Sequence, residues 1–209
     1  MIRLGILLSG RGSNFVAIAN NVASGKLAAH IAVVISNQPD APGIAEAQAR
    51  GLKTVVLPSK GRPREEHDRA VAAALQQAGA ELVVLAGYMR LLSPWFVQQF
   101  PGKILNIHPS LLPAFPGLEA QRQALDYGVR VSGCTVHFVD EHLDHGAIIL
   151  QKTVPVLPSD DEHTLAGRIL QQEHVAYSEA IALVASGNYR IQDRRVLFTA
   201  GNSAEQHTL

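Results

Sequence analysis

Short apolar runs that alternate with helix-like stretches constrain the fold of this chain more than any other feature of its sequence. In the first half the apolar runs lie at residues 2–8, 31–35, 54–57, 81–86 and 103–107. The stretches with a helical pattern lie at about residues 13–24, 42–51 and 64–78. Continuously apolar strands separated by helices are typical of a parallel sheet that is covered on both faces. The first half therefore predicts a Rossmann-like α/β arrangement.

The second half has a different pattern, with two longer predicted strands at residues 131–139 and 148–156. An acidic segment at residues 140–146 separates them and is short enough to be a turn between antiparallel neighbours. We therefore expect the parallel strands of the first half to continue into a mixed sheet, with helices on both faces.

The end of the chain predicts one long helix and little else. Apolar and polar residues at about 161–186 have helical spacing, and Gly187 is a stop signal. We expect residues 188–198 to form one last edge strand and residues 200–209 to form a flexible tail. No linker or repeat interrupts the sequence, so we expect a single α/β domain over residues 1–209.

Composition excludes several classes of function. Eighteen Lys and Arg balance eighteen Asp and Glu, so the chain lacks the strongly basic character of a general nucleic-acid binder. One cysteine, Cys134, allows no intramolecular disulfide, and we expect it to be a small buried residue. The apolar runs are far shorter than the roughly 20 residues that span a bilayer, and the first is shorter than a signal peptide core. We expect a cytoplasmic protein that binds neither membrane nor nucleic acid.

A glycine-rich turn, residues 9–14, joins the first strand to the first helix. Its glycines allow an anion to approach the free N–H groups of the helix N-terminus. A tight turn with Ser13 as the helix N-cap fits the same residues equally well. The turn lacks the Gly-Lys-Ser/Thr ending of a P-loop, Phe15 replaces a small residue of the dinucleotide motif, and Ser36-Asn37 replace its acid. The turn favours a simple phosphate ester over ATP or NAD.

An Asn-x-His-Pro segment follows the fifth predicted strand, at the sheet edge where open α/β proteins bind ligands. Asn106 and His108 are two residues apart, so in extended backbone their side chains lie on the same face. An amide donor beside an imidazole suits oxyanion stabilisation combined with proton transfer. Polar side chains that tie a proline-rich loop to the backbone are the structural alternative.

The acidic segment offers a carboxylate, Asp144, that could favour a protonated histidine. Asp140, Glu141 and Asp144 could equally form a solvated hairpin tip, and spacing alone does not place Asp144 beside His108.

Three histidines, His137, His142 and His145, lie close together in the sequence. Their spacing does not match the helical H-x-x-x-H pattern of a zinc site, and no cysteine pair supports one. We expect no metal, and we expect His137 to hydrogen-bond within the site or the core.

Four segments together resemble the folate-dependent formyltransferase family. They are Gly12-Ser13-Asn14, Ala86 to Ser93, Asn106 to Pro113, and Leu143-Asp144 with Gly146. The resemblance covers about residues 2–190. Asn-x-His with a downstream Asp is shared by the formyltetrahydrofolate-dependent transferases and hydrolases. The Gly-Ser-Asn turn and Gln172-Glu173-His174 resemble the phosphoribosylglycinamide formyltransferase branch.

The resemblance implies the formyltransferase fold and transfer of a formyl group from 10-formyltetrahydrofolate, the cosubstrate, to the amine of glycinamide ribonucleotide in purine biosynthesis. It implies a nucleotide-phosphate-binding half at residues 1–100 and a catalytic and folate-binding half at residues 101–190. The molecule would be a monomer or a homodimer and would use no metal.

The resemblance also implies roles for individual residues. The catalytic set would be Asn106, His108 and Asp144, and the substrate set would be Gly12, Ser13, Asn14 and Glu173. The folate pocket would be lined by Arg64, Met89, Arg90, Leu91, Leu92, Asn106, Asp140, Glu141, His142, Leu143 and Asp144. Considered without the resemblance, Met89, Leu91 and Leu92 are typical of a core, Arg64 of a surface cation and Glu173 of a solvated helix face.

Two departures from the family pattern lie near the expected folate side. Glu119, Ala120 and Gln121 stand where the family often has histidines, and His145 replaces a common glycine. Two other functions compete with the transferase: a 10-formyltetrahydrofolate hydrolase, and a non-catalytic module that binds folate or nucleotide. The intact Asn106, His108 and Asp144 argue against the module.

Overall fold

The computed structural model describes residues 1–199, in which strands and helices alternate through the first half of the chain. The strands are β1 (Ile2–Leu8), β2 (Ala29–Ser36), β3 (Thr54–Val56), β4 (Leu82–Leu85), β5 (Ile104–His108), β6 (Val131–Phe138), β7 (Ile148–Pro155), β8 (Tyr189–Gln192) and β9 (Arg195–Phe198). The helices are α1 (Ser13–Ala23), α2 (Pro42–Ala49), α3 (Arg64–Gln77), α4 (Pro94–Gln99), α5 (Ala120–Tyr127) and α6 (Glu162–Ala185).

One mixed sheet joins all these strands, in the order β3-β2-β1-β4-β5-β6-β7-β9-β8. Strands β1 to β5 pair in parallel, as the alternating pattern predicts. Separate apolar clusters cover the two faces: α1, α2 and α6 pack on one, and α3 and α4 pack on the other. Burial on both sides is the physical reason that the central strands are continuously apolar.

The sheet changes direction after β5, because β6 runs antiparallel to β5 and β7 runs antiparallel to β6. The predicted mixed sheet is confirmed. Helix α6 crosses this region and buries Tyr177, whose hydroxyl lies 2.9 Å from the Leu85 carbonyl and 3.0 Å from the Leu105 carbonyl. Tyr177 therefore fixes α6 against β4 and β5.

The predicted single strand at residues 188–198 is wrong. Those residues form a hairpin of β8 and β9, and β9 pairs with β7 only at Ile148 and Arg195. A two-residue turn at Asp193-Arg194 reverses the chain, with Asp193 at a φ of 54°, a left-handed conformation that Asp tolerates.

The short helices α4 and α5 were not predicted. With six and eight residues they offer too few turns for a clear helical period. Glu119 precedes α5 in a left-handed conformation and pairs with Arg122 on the surface. The predicted tail at residues 200–209 lies outside the described residues. Among residues 1–199, no helix has the length and apolar character needed to cross a membrane.

Candidate active site

The change of strand direction at β5 and β6 brings polar side chains from two strands together. Asn106 and His108 lie on one face of β5, as their spacing predicts. The register of the antiparallel pair places His137 opposite Asn106 and Thr135 opposite His108. The Thr135 hydroxyl donates to the Ser110 carbonyl at 2.7 Å, so it fixes the loop that leaves β5.

His108 is 5% exposed, and both of its ring nitrogens have partners. Nε2 lies 2.8 Å from the carbonyl oxygen of Phe115, and because a carbonyl can only accept, Nε2 carries a proton. Nδ1 lies 3.4 Å from Oδ2 of Asp144. A second proton, on Nδ1, would therefore produce an imidazolium held directly against a carboxylate.

A backbone N–H from the loop after β5 holds the Asp144 carboxylate in place. The Gly117 N–H donates to Oδ2 at 2.8 Å, and the Asp144 side chain is only 7% exposed. Gly146 allows the turn to approach β6 closely, because a Cβ there would lie 1.9 Å from the Phe138 carbonyl oxygen. The solvated-tip interpretation is therefore wrong for Asp144, although Glu141 at the same tip is exposed.

His137 belongs to this cluster, and the sequence left open whether it would lie in the site or the core. Its Nδ1 donates to the Phe138 carbonyl at 2.8 Å, and its Nε2 lies 3.4 Å from the Asn106 amide nitrogen and 3.9 Å from Oδ1 of Asp144. Burial lowers the pKa of His137, so the neutral ring can accept from the Asn106 amide and orient it. Two polar residues in alternation, Thr135 and His137, in the second half of a largely apolar strand were the available signal.

The glycine turn ends in an uncapped helix N-terminus. Gly12 is the N-cap residue, in a left-handed conformation with φ of 67°, and no side chain caps the helix. The alternative with Ser13 as the N-cap is therefore wrong. The first helical bond runs from the Val16 N–H to the Gly12 carbonyl, so the N–H groups of residues 13–15 have no acceptor within the helix. This end of α1 can bind an anion.

A buried pair connects this turn to the long helix. The Asn14 amide nitrogen donates to Oε2 of Glu173 at 2.7 Å, and the two residues are 7% and 8% exposed. Burial raises the pKa of Glu173, while the Asn14 hydrogen bond and the nearby His108 partly offset that rise. The solvated-face interpretation of Glu173 is therefore wrong. Within the described residues, Oδ1 of Asn14 is buried without a hydrogen-bond partner, so it can accept from a ligand.

The segment after β4 presents apolar side chains to solvent. Met89 and Leu91 are 75% and 54% exposed, so their interpretation as core residues is wrong, whereas Leu92 packs against the core face of α3 and α4. Leu143, on the 140–146 turn, is also exposed, and so is Arg64 at the start of α3. Exposed apolar side chains beside a polar cluster are typical of a ligand groove.

A buried carboxylate on α3 holds the segment after β4 on its inner side. Asp68 on α3 is fully buried, and its Oδ2 accepts a 2.6 Å hydrogen bond from the N–H of Ser93. Burial and the Asp68 charge together raise the pKa of Tyr88. Asp68 therefore positions the Ser93 end of this segment from inside the protein.

We expect Asp68→Ala to destabilise the protein by about 1–3 kcal/mol, because it leaves the buried Ser93 N–H unsatisfied. Urea unfolding measures this effect. Asp126→Ala, an exposed aspartate on α5, is the matched control and should change stability by less than about 0.5 kcal/mol. Equal stabilities of the two variants would contradict the positioning role of Asp68.

Comparison with known proteins agrees with the geometry of the site. The family model described as "Formyl transferase" matches residues 2–181. The chain is 42% identical over 194 residues to phosphoribosylglycinamide formyltransferase from Haemophilus influenzae, covering 92% of each chain. A crystal structure of glycinamide ribonucleotide transformylase 1 from Symbiobacterium toebii superposes with a TM-score of 0.93 at 50% identity, over 95% of this chain and 94% of the other.

Longer relatives contain a similar segment. The chain is 47% identical over 191 residues to the trifunctional purine biosynthetic protein adenosine-3 from Drosophila pseudoobscura pseudoobscura, covering 90% of this chain but 14% of that protein. The sheet changes strand direction after β5, and Asn106, His108 and Asp144 lie together at that point. The family model and the relatives match most of the same sequence. The chain belongs to the formyl transferase family.

Proposed function

We propose that this protein transfers the formyl group of 10-formyltetrahydrofolate to the amine of phosphoribosylglycinamide. The observation that carries the proposal is the buried His108–Asp144 pair next to the Asn106 amide. The names of the relatives that match most of this chain support formyl transfer and its phosphoribosylglycinamide acceptor.

The reaction begins with attack of the substrate amine on the formyl carbon, which produces a tetrahedral intermediate with a negatively charged oxygen. The Asn106 amide donates to that oxygen, and a protonated His108 adds positive charge beside it. Collapse of the intermediate breaks the bond between carbon and the folate nitrogen. The amine loses one proton and the folate nitrogen gains one, so the step is balanced without a redox partner. Asp144 stabilises the charged imidazole and orders a water that relays the proton.

The nucleotide binds at the first half of the chain in this proposal. The free N–H groups at residues 13–15 hold the phosphate, with Gly12 allowing its approach. The Glu173 carboxylate and Oδ1 of Asn14 accept from donors of the substrate, its ribose hydroxyls or its glycinamide end. The phosphate-binding turn and Asn14 thus lie in the predicted nucleotide half, residues 1–100, whereas Glu173 is contributed by α6 from the second half.

The folate cosubstrate binds between the segment after β4 and the 140–144 turn. The exposed Met89, Leu91 and Leu143 offer apolar contacts to its ring system. Arg64 and Arg90 supply positive charge for an acidic tail. Cytoplasmic location and a monomeric or dimeric state complete the proposal.

The hydrolase and the non-catalytic module are not favoured. A hydrolase needs only the folate and water, so it gives no role to an uncapped helix N-terminus beside the buried Asn14–Glu173 pair. A module that only binds ligands gives no role to an oriented imidazole and carboxylate.

The decisive test is a spectroscopic assay of tetrahydrofolate release with and without phosphoribosylglycinamide. We expect release to depend on the amine substrate and to produce one formylated nucleotide per folate. Equal release in its absence would support the hydrolase instead.

We expect Gly12→Val to raise KM for the nucleotide about tenfold or more while leaving KM for the folate unchanged. A β-branched residue is strained at a φ of 67°, and its Cβ would lie 3.1 Å from Leu8. The turn must then shift, and loss of one charge-assisted hydrogen bond to phosphate accounts for a factor of this size.

Gly25→Val is the matched control for Gly12→Val. Gly25 has a φ of 74° but no neighbour within 4 Å of an added Cβ, and it follows the other end of α1. It introduces a similar backbone strain away from the turn. Steady-state kinetics with each substrate varied in turn measures both KM values. An equal rise of both KM values in Gly12→Val would show that the turn does not bind the phosphate.

A further inference from the structure

The 140–146 turn, which forms one side of the proposed folate groove, gathers three side chains whose contacts with each other play no part in the proposed formyl transfer. Nδ1 of His145 lies 2.7 Å from Oδ2 of Asp140, and Nδ1 of His142 lies 3.9 Å from Oδ1 of the same carboxylate. One ligand atom from each residue falls within 4.8 Å of the other two. The two imidazole rings are neighbours, with centroids 5.1 Å apart.

These separations are close to those of a metal coordination shell. Ligands at about 2.0–2.1 Å from a tetrahedral zinc ion lie about 3.3–3.4 Å from each other. The 2.7 Å and 3.9 Å separations, which are measured to the two different oxygens of Asp140, lie on either side of that value, and all three donor atoms lie within 4.8 Å of one another. Modest rotations of the side chains would therefore complete the shell. Such rotations are accessible, because the side chains of His142, His145 and Asp140 are 75%, 43% and 40% exposed.

Two hydrogen bonds already orient the Asp140 carboxylate, one at each oxygen. The His142 N–H donates to Oδ1 at 2.8 Å and orients the group. A metal would replace the proton that His145 shares with Asp140, which is the ordinary exchange on binding to imidazole.

We propose that Asp140, His142 and His145 form a binding site for a divalent transition metal ion of the zinc class. Two imidazoles and one carboxylate suit zinc, nickel or cobalt better than magnesium or calcium, which prefer shells of oxygen. Three protein ligands leave a fourth position for water or another small ligand.

The proposed metal site is separate from the catalytic side chains, but it lies on the same turn as one of them, Asp144. Asp144 lies between His142 and His145 in the sequence, and its own carboxylate points to Gly117 and His108 instead. A bound metal would join both sides of the turn that carries Asp144. The spacing of the histidines gave no sign of this site, because the ligands come from a turn rather than a helix.

The test is calorimetric titration of the chelator-treated full chain with zinc chloride, with cobalt chloride as a spectroscopic probe. We expect one metal per chain and visible cobalt bands typical of four-coordination. His145→Ala and His142→Ala should each weaken binding at least about tenfold, since even changes around a ligand often have effects of that size. His30→Ala and His163→Ala, at exposed histidines outside the turn, are the controls and should leave the affinity unchanged.

Circular dichroism establishes that each variant is folded before titration, and having two ligand variants keeps the test valid if one fails. Absence of 1:1 binding below about 100 µM metal, roughly the −5.5 kcal/mol level, would overturn the proposal. So would an unchanged affinity in a folded His145→Ala protein. Formyl transfer by the metal-free protein supports a site apart from catalysis, and its loss with recovery on adding zinc would contradict that separation.

Discussion

Asn106→Ala is expected to lower kcat about 10²–10³-fold, the usual effect of removing one oxyanion donor. Asn106 lies in the middle of β5, and its amide nitrogen is 3.4 Å from Nε2 of the neutral His137. This contact holds the amide in one orientation before substrate arrives, so little reorganisation is needed as charge develops on the formyl oxygen. The loss should fall on kcat more than on either KM, since the donor acts mainly on the transition state.

Steady-state kinetics of Asn106→Ala against the wild type measures this effect. Asn188→Ala, an exposed asparagine before β8, is the matched control and should retain full turnover. Near-normal turnover in folded Asn106→Ala protein would show that the oxyanion is stabilised elsewhere.

Asp144→Asn is expected to lower kcat about 10²–10⁴-fold, the range that a positioned acid–base group contributes. The imidazole of His108 already uses Nε2 to donate to Phe115, so a charged ring depends on Asp144 for its second partner. An amide of the same size removes the compensating charge and leaves the turn intact. Both substrates should still bind, because neither proposed subsite depends on that charge alone.

Binding measured by calorimetry, separately from turnover, distinguishes this result from misfolding. Asp193→Asn is the matched control: Asp193 also has a left-handed backbone, with a φ of 54° against 48° for Asp144, but it lies in the β8–β9 turn. Equal rates for Asp144→Asn and the wild type would reduce Asp144 to a structural residue of the hairpin.

The first half of the fold was predictable because its central strands are buried on both faces. Burial requires apolar residues at every position, so the runs stand out between amphipathic helices, and β1 to β5 appear where they are expected. The last segment was not, because a hairpin with two half-exposed strands has no continuous apolar run. The position of its turn depends on two residues, Asp193 and Arg194.

Within the candidate site, a contact could be predicted from the sequence when both residues lie on one strand, but not when they lie on different strands. Asn106 and His108 share one strand, so alternation alone places them together. The contact of His137 with Asn106 requires the register between β5 and β6, across 31 residues, and no local pattern encodes it. The same holds for Asp144, whose contact with His108 depends on where the Gly117 loop folds back.

Burial was the property that single residues predicted least well. Glu173 lies on a long helix, where a glutamate is usually exposed, but the docking of α6 on α1 encloses it. Met89 and Leu91 have the opposite outcome, because the segment after β4 leaves the sheet before their side chains can enter the core. The burial of Glu173 and the exposure of Met89 and Leu91 depend on how helices and strands pack together, which the neighbouring residues in the sequence do not specify.

The hydrogen bond between Asn14 and Glu173 has a consequence for the order in which the molecule becomes competent. It joins residues 159 positions apart, whereas β5, β6 and β7 are sequential neighbours in the chain. Contacts between distant segments must overcome the larger chain-closure entropy, so they tend to form late. We therefore expect a refolding chain to assemble its catalytic side chains first and to gain affinity for the nucleotide only when its first and last helices meet.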